Sequence, residues 1–278
     1  MKIAMSIFSR SVAVATGETL TYAERGDPSG VPVVFIHGIT DSHLSYGPVL
    51  EALPSRFHAF AVTMRGHGAS SKPAGHYAPE DMAADVIAFL DAQKIERAII
   101  VGHSMGSLVA RCVAEANPEH MMGLVIIGAF ASFHDNPAVE ELRKAVDALG
   151  DTIPYDFARE FQMSTLATSV PDAFLAMVVA ETQKVPARVF RSATAGLMAR
   201  DYALTGTSYA GPALIVWGDQ DAFSPRADQA TLLRAFKHAE LLTYEGIGHA
   251  PHWEEPMRFA RDFAAWVVRI EGGASRLA

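Results

Sequence analysis

The sequence has one cysteine, Cys112, among 278 residues. It cannot close an internal disulfide, and a zinc site built on cysteines is excluded with it. No stretch approaches the roughly 20 consecutive apolar residues needed to cross a bilayer. The most apolar runs, residues 31–36 and 98–101, have the length of buried strands. Basic runs are also lacking, and 23 Lys and Arg against 31 Asp and Glu leave a formal net charge of −8. Nucleic acid and anionic membrane are therefore poor partners. Charged residues make up only 19% of the chain and hydrophobic ones 50%, with 15 Phe, 7 Tyr and 3 Trp. That composition fills a substantial core and excludes a disordered or fibrous chain. Residues 1–10 carry Lys2 but no long apolar segment and no small-residue cleavage site. No signal peptide is expected, and the expected compartment is the cytoplasm.

What is present is a repeating rhythm. Two β-like runs, 11–15 and 19–24, are separated by Gly17 and closed by Gly26-Asp27-Pro28. Val33-Val34-Phe35-Ile36 then runs straight into His37-Gly38, an all-apolar strand of the kind buried on both faces of a parallel sheet. A helix is expected near 46–53 and a strand over 58–63, ending at Arg65-Gly66-His67-Gly68. Residues 78–93 place Met82, Val86, Phe89 and Leu90 at helical spacing. Asp81, Asp85 and Asp91 on that helix are expected to form a solvated face. A strand over 98–101, a helix over 107–115 and a strand over 123–127 continue a βαβ series.

The rhythm stops after Gly128. From 134 to 209 the pattern is helical, punctuated by Gly150, Pro154, Pro171 and Pro186, before strands resume at 213–217 and 240–244 and a last helix spans 256–270. The expected architecture is α/β: a mostly parallel central sheet flanked by helices, with a helical lid inserted between late strands. Residues 1–133 and 210–278 form its core and 134–209 its lid. Phe157, Phe161, Phe174 and Phe190 are expected to pack the lid's own small core. The tail, 272–278, is expected to fray.

Gly102-His103-Ser104-Met105-Gly106 is a G-x-S-x-G match after a buried strand and before a helix, which is the setting that motif requires. A serine in so sharp a turn takes strained backbone angles, and its close neighbours must be small. The turn lifts the hydroxyl above the sheet edge and aims the following N–H groups at the same space. A serine hydroxyl is a weak nucleophile, so it needs a base oriented by a carboxylate. Gly218-Asp219-Gln220-Asp221 follows one late strand and Gly246-Ile247-Gly248-His249 the next. The order Ser104, Asp221, His249 is the order expected for this arrangement. His249 and His252 form an H-x-x-H pair, but no third ligand accompanies them, and no metal is expected. His37 and His67 are expected to brace loops. His103, beside the nucleophile, either touches the substrate pocket or fills space.

On these residues the chain resembles the α/β-hydrolase superfamily, in its lidded serine-hydrolase, carboxylesterase-like branch, from about residue 12 to residue 267. His37-Gly38 after the third strand, Arg65-Gly66-His67-Gly68 with Ser70 beyond it, and Gly248-His249 near the end are further marks of that likeness. The resemblance implies that the acid is Asp221, with Asp219 bracing the turn. It also implies an oxyanion hole made by the backbone N–H groups of Ile39 and Met105, and a pocket near Gly38, His103 and Phe130. The implied activity is hydrolysis of a carboxylic ester or lactone of a small to medium apolar molecule through an acyl-enzyme, with no cofactor. A homodimer stays open.

Rival readings share the scaffold. Haloalkane dehalogenases and epoxide hydrolases have an aspartate where Ser104 stands. Hydrolases of carbon–carbon bonds in ring-opened aromatic products usually carry asparagine before the nucleophile and tryptophan after the histidine, where this chain has His103 and Ala250. A ligand-binding receptor built on the same scaffold is the alternative of a different class. The choice of acid is directly testable on a chromogenic ester. Asp219→Asn should keep most of the turnover and Asp221→Asn should remove it, whereas the reverse pattern would move the acid to Asp219.

Overall fold

The computed structural model describes residues 9–134, 136–199, 201–203 and 205–274. Residues 1–8, within the segment read for a signal peptide, and 275–278 of the tail lie outside the described residues. Strands β1 (Ser9–Ala13), β2 (Thr19–Gly26), β3 (Val31–Ile36), β4 (Phe57–Thr63), β5 (Ala98–His103), β6 (Met121–Ile127), β7 (Ala213–Gly218) and β8 (Ala239–Tyr244) form one sheet in the order β1-β2-β4-β3-β5-β6-β7-β8. β2 is antiparallel to both its neighbours, and every pairing from β4 across to β8 is parallel.

The all-apolar strands are explained by burial on both faces. Val34, Ile36, Ile100, Leu124, Ile126 and Ile215 enter one hydrophobic cluster, while their chain neighbours Val33, Phe35, Ile99, Val125, Ile127 and Leu214 enter another. This is the two-residue alternation of a strand with no wet side. Helices α2 (Pro79–Ala92) and α3 (Met105–Ala116) pack on the first face. Helices α1 (Gly47–Ala52) and α10 (Pro256–Ala274) pack on the second, where Phe259, Phe263 and Trp266 are buried.

Between β6 and β7 the chain makes α4 (Pro137–Asp147), α5 (Tyr155–Ser164), α6 (Asp172–Gln183) and α7 (Ala187–Met198). The prolines that punctuate the sequence are helix starts: Pro154, Pro171 and Pro186 each stand immediately before the first residue of α5, α6 and α7. A proline is cheap there because the first helical N–H groups have no intrahelical partner. Phe190 is buried and meets Phe157 and Phe161 with ring centroids 6.4 and 5.6 Å away, an inner core for the insert. Phe174 instead turns to Trp253, 5.5 Å away, on the short helix α9 (Pro251–Glu254) after α8 (Arg226–Ala235) and β8. Arg111 of α3, fully buried, donates to the carbonyls of Phe130, Tyr202, Ala203 and Thr205 and so ties both ends of the insert to the core.

Several expectations need correction. α8 was not foreseen, because it buries little apolar surface: Leu232 and Gln229 are its buried side chains. α3 begins at Met105 rather than 107, so the helix starts directly after Ser104. α10 continues through Gly272 to Ala274, where a fraying tail was expected. Asp85 is not on a solvated face. Its carboxylate is fully buried and takes two 2.6 Å bonds from the Arg65 guanidinium and one from Thr16 Oγ1. The pair fixes the Arg65-Gly66-His67-Gly68 loop against α2, a tertiary role that helix periodicity cannot reveal. Removing one partner of a buried pair strands the other charge, at a cost of about 3–5 kcal/mol. Asp85→Ala is expected to lose stability of that order in urea unfolding, and a loss below about 1 kcal/mol would contradict the pairing.

Candidate active site

β5 ends at His103, α3 begins at Met105, and Ser104 between them has φ 51° and ψ −117°. Positive φ is uncommon outside glycine and costs on the order of 1–3 kcal/mol. The fold enforces it by close backbone approach. A Cβ on Gly102 would lie 2.0 Å from the Gly106 carbonyl oxygen, and one on Gly106 would lie 2.4 Å from that of Ile36. The glycines two before and two after Ser104 are thus required by backbone meeting backbone. Ser104 N–H donates to Ile127 O at 2.9 Å, and Ser107 Oγ donates to Ser104 O at 2.6 Å, which locks the turn.

Asp221 follows β7. Its Oδ1 accepts from the N–H groups of Phe223 and Ser224 at 2.8 and 2.9 Å, and its Oδ2 accepts from Ser224 Oγ and from His249 Nδ1, the latter at 2.8 Å. Burial alone would raise the carboxyl's pKa, but His249 and the Ser224 bonds outweigh it and the net shift is downward. Nδ1 must carry the proton that it gives to a carboxylate, which leaves Nε2 as the basic nitrogen. Asp219 lies elsewhere, exposed, with Oδ1 accepting from Gly246 N–H at 2.7 Å and from Gln220. It joins the two loops that carry Asp221 and His249.

Ser104 and His249 line one cavity, together with Gly38, Ile39, His103 and Phe130. Among the described residues the Asp221–His249 link is a hydrogen bond and the Ser104–His249 link is not. Such links are commonly long without substrate and tighten when it binds. Ile39 sits on the turn after β3 and Met105 at the first position of α3. Neither backbone N–H donates to an acceptor among the described residues, so both remain available as donors. The walls are apolar: Phe130 and Phe223 flank the His249 ring at 5.7 and 5.2 Å, and Phe133, Val139, Leu142, Phe161 and Leu197 complete them. Val139, Leu142, Phe161 and Leu197 come from the insert, so Phe161 serves the cavity as well as the insert's inner core.

Sequence reasoning missed Asp41, Gln162, Thr165, Thr194 and Trp253, which also line the cavity. The available signal for Asp41 was a carboxylate three residues beyond Gly38, in a loop between buried elements. Gln162 Nε2 reaches from α5 to Asp41 Oδ1 at 3.0 Å and Thr182 Oγ1 at 2.8 Å. His249 N–H donates to Thr165 O at 2.8 Å, and Glu254 accepts from Gly248, Ala167 and Thr168 N–H groups. The carboxyl end of α5 is therefore bonded to the loops on both sides of Ser104. Trp253, four residues after His249, closes the wall through α9. His252 does not line the cavity; its ring lies tilted against Tyr46 and His103, with centroids 4.9 and 4.5 Å away. Among the described residues no group of three His, Cys, Asp or Glu side chains is placed to hold a metal, and no helix is long and apolar enough to cross a membrane.

Residues 31–256 match the family described as the alpha/beta hydrolase fold. The chain belongs to that family. A 2-(acetamidomethylene)succinate hydrolase of Mesorhizobium japonicum is 34% identical over 130 residues, which is 47% of this chain and 46%, about half, of that protein. A 2-hydroxymuconate semialdehyde hydrolase of a Pseudomonas species is 25% identical over 88% of this chain and 90% of its own. The crystal structure of an enol-lactonase from Burkholderia xenovorans superposes with a TM-score of 0.81 at 21% identity, covering 93% of this chain and all of that one. Family and relatives support a hydrolase.

The hydrolase buries an unusual set of imidazoles. Burial drives His43 and His67 down to about 4 and His103 to about 3, and it holds His37 and His252 well below 6.5. A group whose folded pKa is lowered binds more protons when unfolded. Its stabilising contribution is full above 6.5 and is lost as the pH falls toward the folded value. Asp41, raised by burial, pulls the other way, but it is one carboxyl against five imidazoles. The melting temperature is expected to fall steadily between pH 6.5 and 4, and a flat profile across that window would contradict the assignment of these rings as neutral.

Proposed function

We propose that this hydrolase cleaves a carboxylic ester or lactone of a small to medium apolar substrate through an acyl-enzyme on Ser104. The observation that carries the reading is the His249 Nδ1 to Asp221 Oδ2 bond of 2.8 Å in a cavity that also contains the strained Ser104. His249 Nε2 takes the Ser104 Oγ proton as that oxygen attacks the carbonyl carbon. Asp221 balances the imidazolium that results. The carbonyl oxygen, now negative, is met by the N–H groups of Ile39 and Met105, each worth about 3–4 kcal/mol in such sites. The imidazolium then gives its proton to the leaving alcohol, and water repeats the sequence to release the acid. Helices α4 to α7 act as the lid, and their apolar side chains favour an apolar acyl or alcohol portion.

A second reading, hydrolysis of a carbon–carbon bond, draws on the 2-hydroxymuconate semialdehyde hydrolase relative. It uses the same three side chains, and His103 and Ala250 are departures from its usual residues. The discriminating experiment is a p-nitrophenyl ester series, acetyl through dodecanoyl, with wild type beside Ser104→Ala. Steady multiple turnover with a medium-chain optimum is expected, falling by about 10³-fold or more in the variant. A folded wild type that turns over no ester would shift the reading to the carbon–carbon substrate. One retained product per protein would shift it to a receptor.

A further inference from the structure

The Asp221 carboxylate is saturated with donors. The N–H groups of Phe223 and Ser224 take Oδ1, and the Ser224 hydroxyl shares Oδ2 with His249 Nδ1. Two carboxylate oxygens offer about four acceptor positions, and these bonds fill them. The local chain holds the hydroxyl in place. Trp217 Nε1, near the end of β7, donates to Ser224 O at 2.8 Å, Ser224 N–H turns back onto Asp221, and Pro225 then leads into α8. Ser224 is fully buried, as is the Asp221 side chain, and the His249 side chain is 4% exposed. An ionised carboxylate can only accept, so the Ser224 hydroxyl is the donor in their bond. Two donors on one oxygen divide its negative charge. In a buried site that division is poorly screened, and each donor lessens what the other gains.

We propose that Ser224 is a positioning residue for His249. Its hydroxyl draws on the same Asp221 oxygen as the imidazole, limits the charge that the ring meets, and lets Nε2 stay unprotonated to lower pH than Asp221 alone would allow. The proposal rests on the ester-hydrolase reading for the use to which the ring is put. Without the hydroxyl, Oδ2 is left to His249 alone, the imidazolium is better balanced, and the ring takes its second proton at higher pH. The other ionisable groups around the pair are His103 on β5, His252 and Glu254 on α9, Asp228 on α8, Asp219 after β7 and Asp41 after β3. Burial drives His103 down to about 3 and holds His252 well below 6.5, so both rings are neutral near pH 7. It raises Asp228, and Asp41 more strongly, so carboxyls too contribute to a pH–rate profile. The His249 ring is therefore the group to follow directly.

The test is an NMR titration of protein carrying carbon-13 at histidine Cε1, with the His249 signal assigned by its loss in His249→Gln. In Ser224→Ala the midpoint of that signal should rise by about half to one pH unit over wild type. Ser224→Thr, which keeps a hydroxyl, should hold the wild-type midpoint. Ser224→Cys fills the same space with a much weaker donor, and it carries the same test with the same direction if the alanine variant does not fold. A rise below about 0.3 unit in a folded alanine or cysteine variant would overturn the proposal, as would a folded threonine variant that titrates like alanine. A hydroxyl that only packed the loop would lower the melting temperature and leave the titration of the ring in place. On p-nitrophenyl butyrate the acid limb of kcat/KM should move up with the midpoint, and a limb that stayed behind would overturn the tie to catalysis. Absence of ester hydrolysis in a folded wild type would overturn the ester-hydrolase reading alone. The titration, which needs no turnover, would then decide the role of Ser224.

Discussion

The end of β3 and the first turn of α3 touch through backbone alone. The carbonyl oxygens of Ile36 and His37 stand 2.4 and 2.6 Å from where a side chain on Gly106 would begin. This approach lets the helix start one residue beyond the sheet edge and compresses Ser104 into a backbone conformation that it would otherwise avoid. It also brings the turn carrying Gly38 and Ile39 beside the amino end of α3, so donors from two elements face one volume. The strain is opposed by the Ser104 and Ser107 bonds and by the buried apolar face of α3, from Leu108 to Val113. An element that packs this tightly has few alternative arrangements, which preorganises the site before any ligand arrives.

Around that point the protein distributes charge sparingly. Most buried imidazoles are neutral and bond carbonyls, hydroxyls or nothing, whereas the His249 ring is hydrogen-bonded to a carboxylate. Asp221 accepts from His249 Nδ1 at 2.8 Å, whereas burial disfavours a proton on His103 or His252. Environment, more than residue type, separates His249 from its neighbours.

The parallel strands, the turn at Ser104 and the loops bearing Asp221 and His249 were all legible in the sequence, because each is dictated locally. Continuous apolar runs mark strands buried on both faces, and the glycine spacing around Ser104 states a steric need. What stayed hidden depended on contacts distant in the chain. Asp85 reads as one more charge on an amphipathic helix until Arg65 is seen beside it. Asp41 and Gln162 are 121 residues apart and acquire meaning only together. Trp253 is four residues beyond His249, and a single short helical turn, α9, returns it to the cavity. α8 carries too few apolar positions to announce itself.

The bond from His249 N–H to Thr165 O gives the insert a second identity. A cap that only covered the site could be exchanged, shortened or swung aside while the chemistry beneath went on unchanged. Here the insert's own backbone holds the loop of His249, and Glu254 stitches the adjoining residues of both segments together. Grafting the insert of another hydrolase onto this core would therefore alter the seat of the imidazole along with the shape of the pocket. The shape of the pocket and the seat of His249 share one set of bonds in this molecule and would change as one trait.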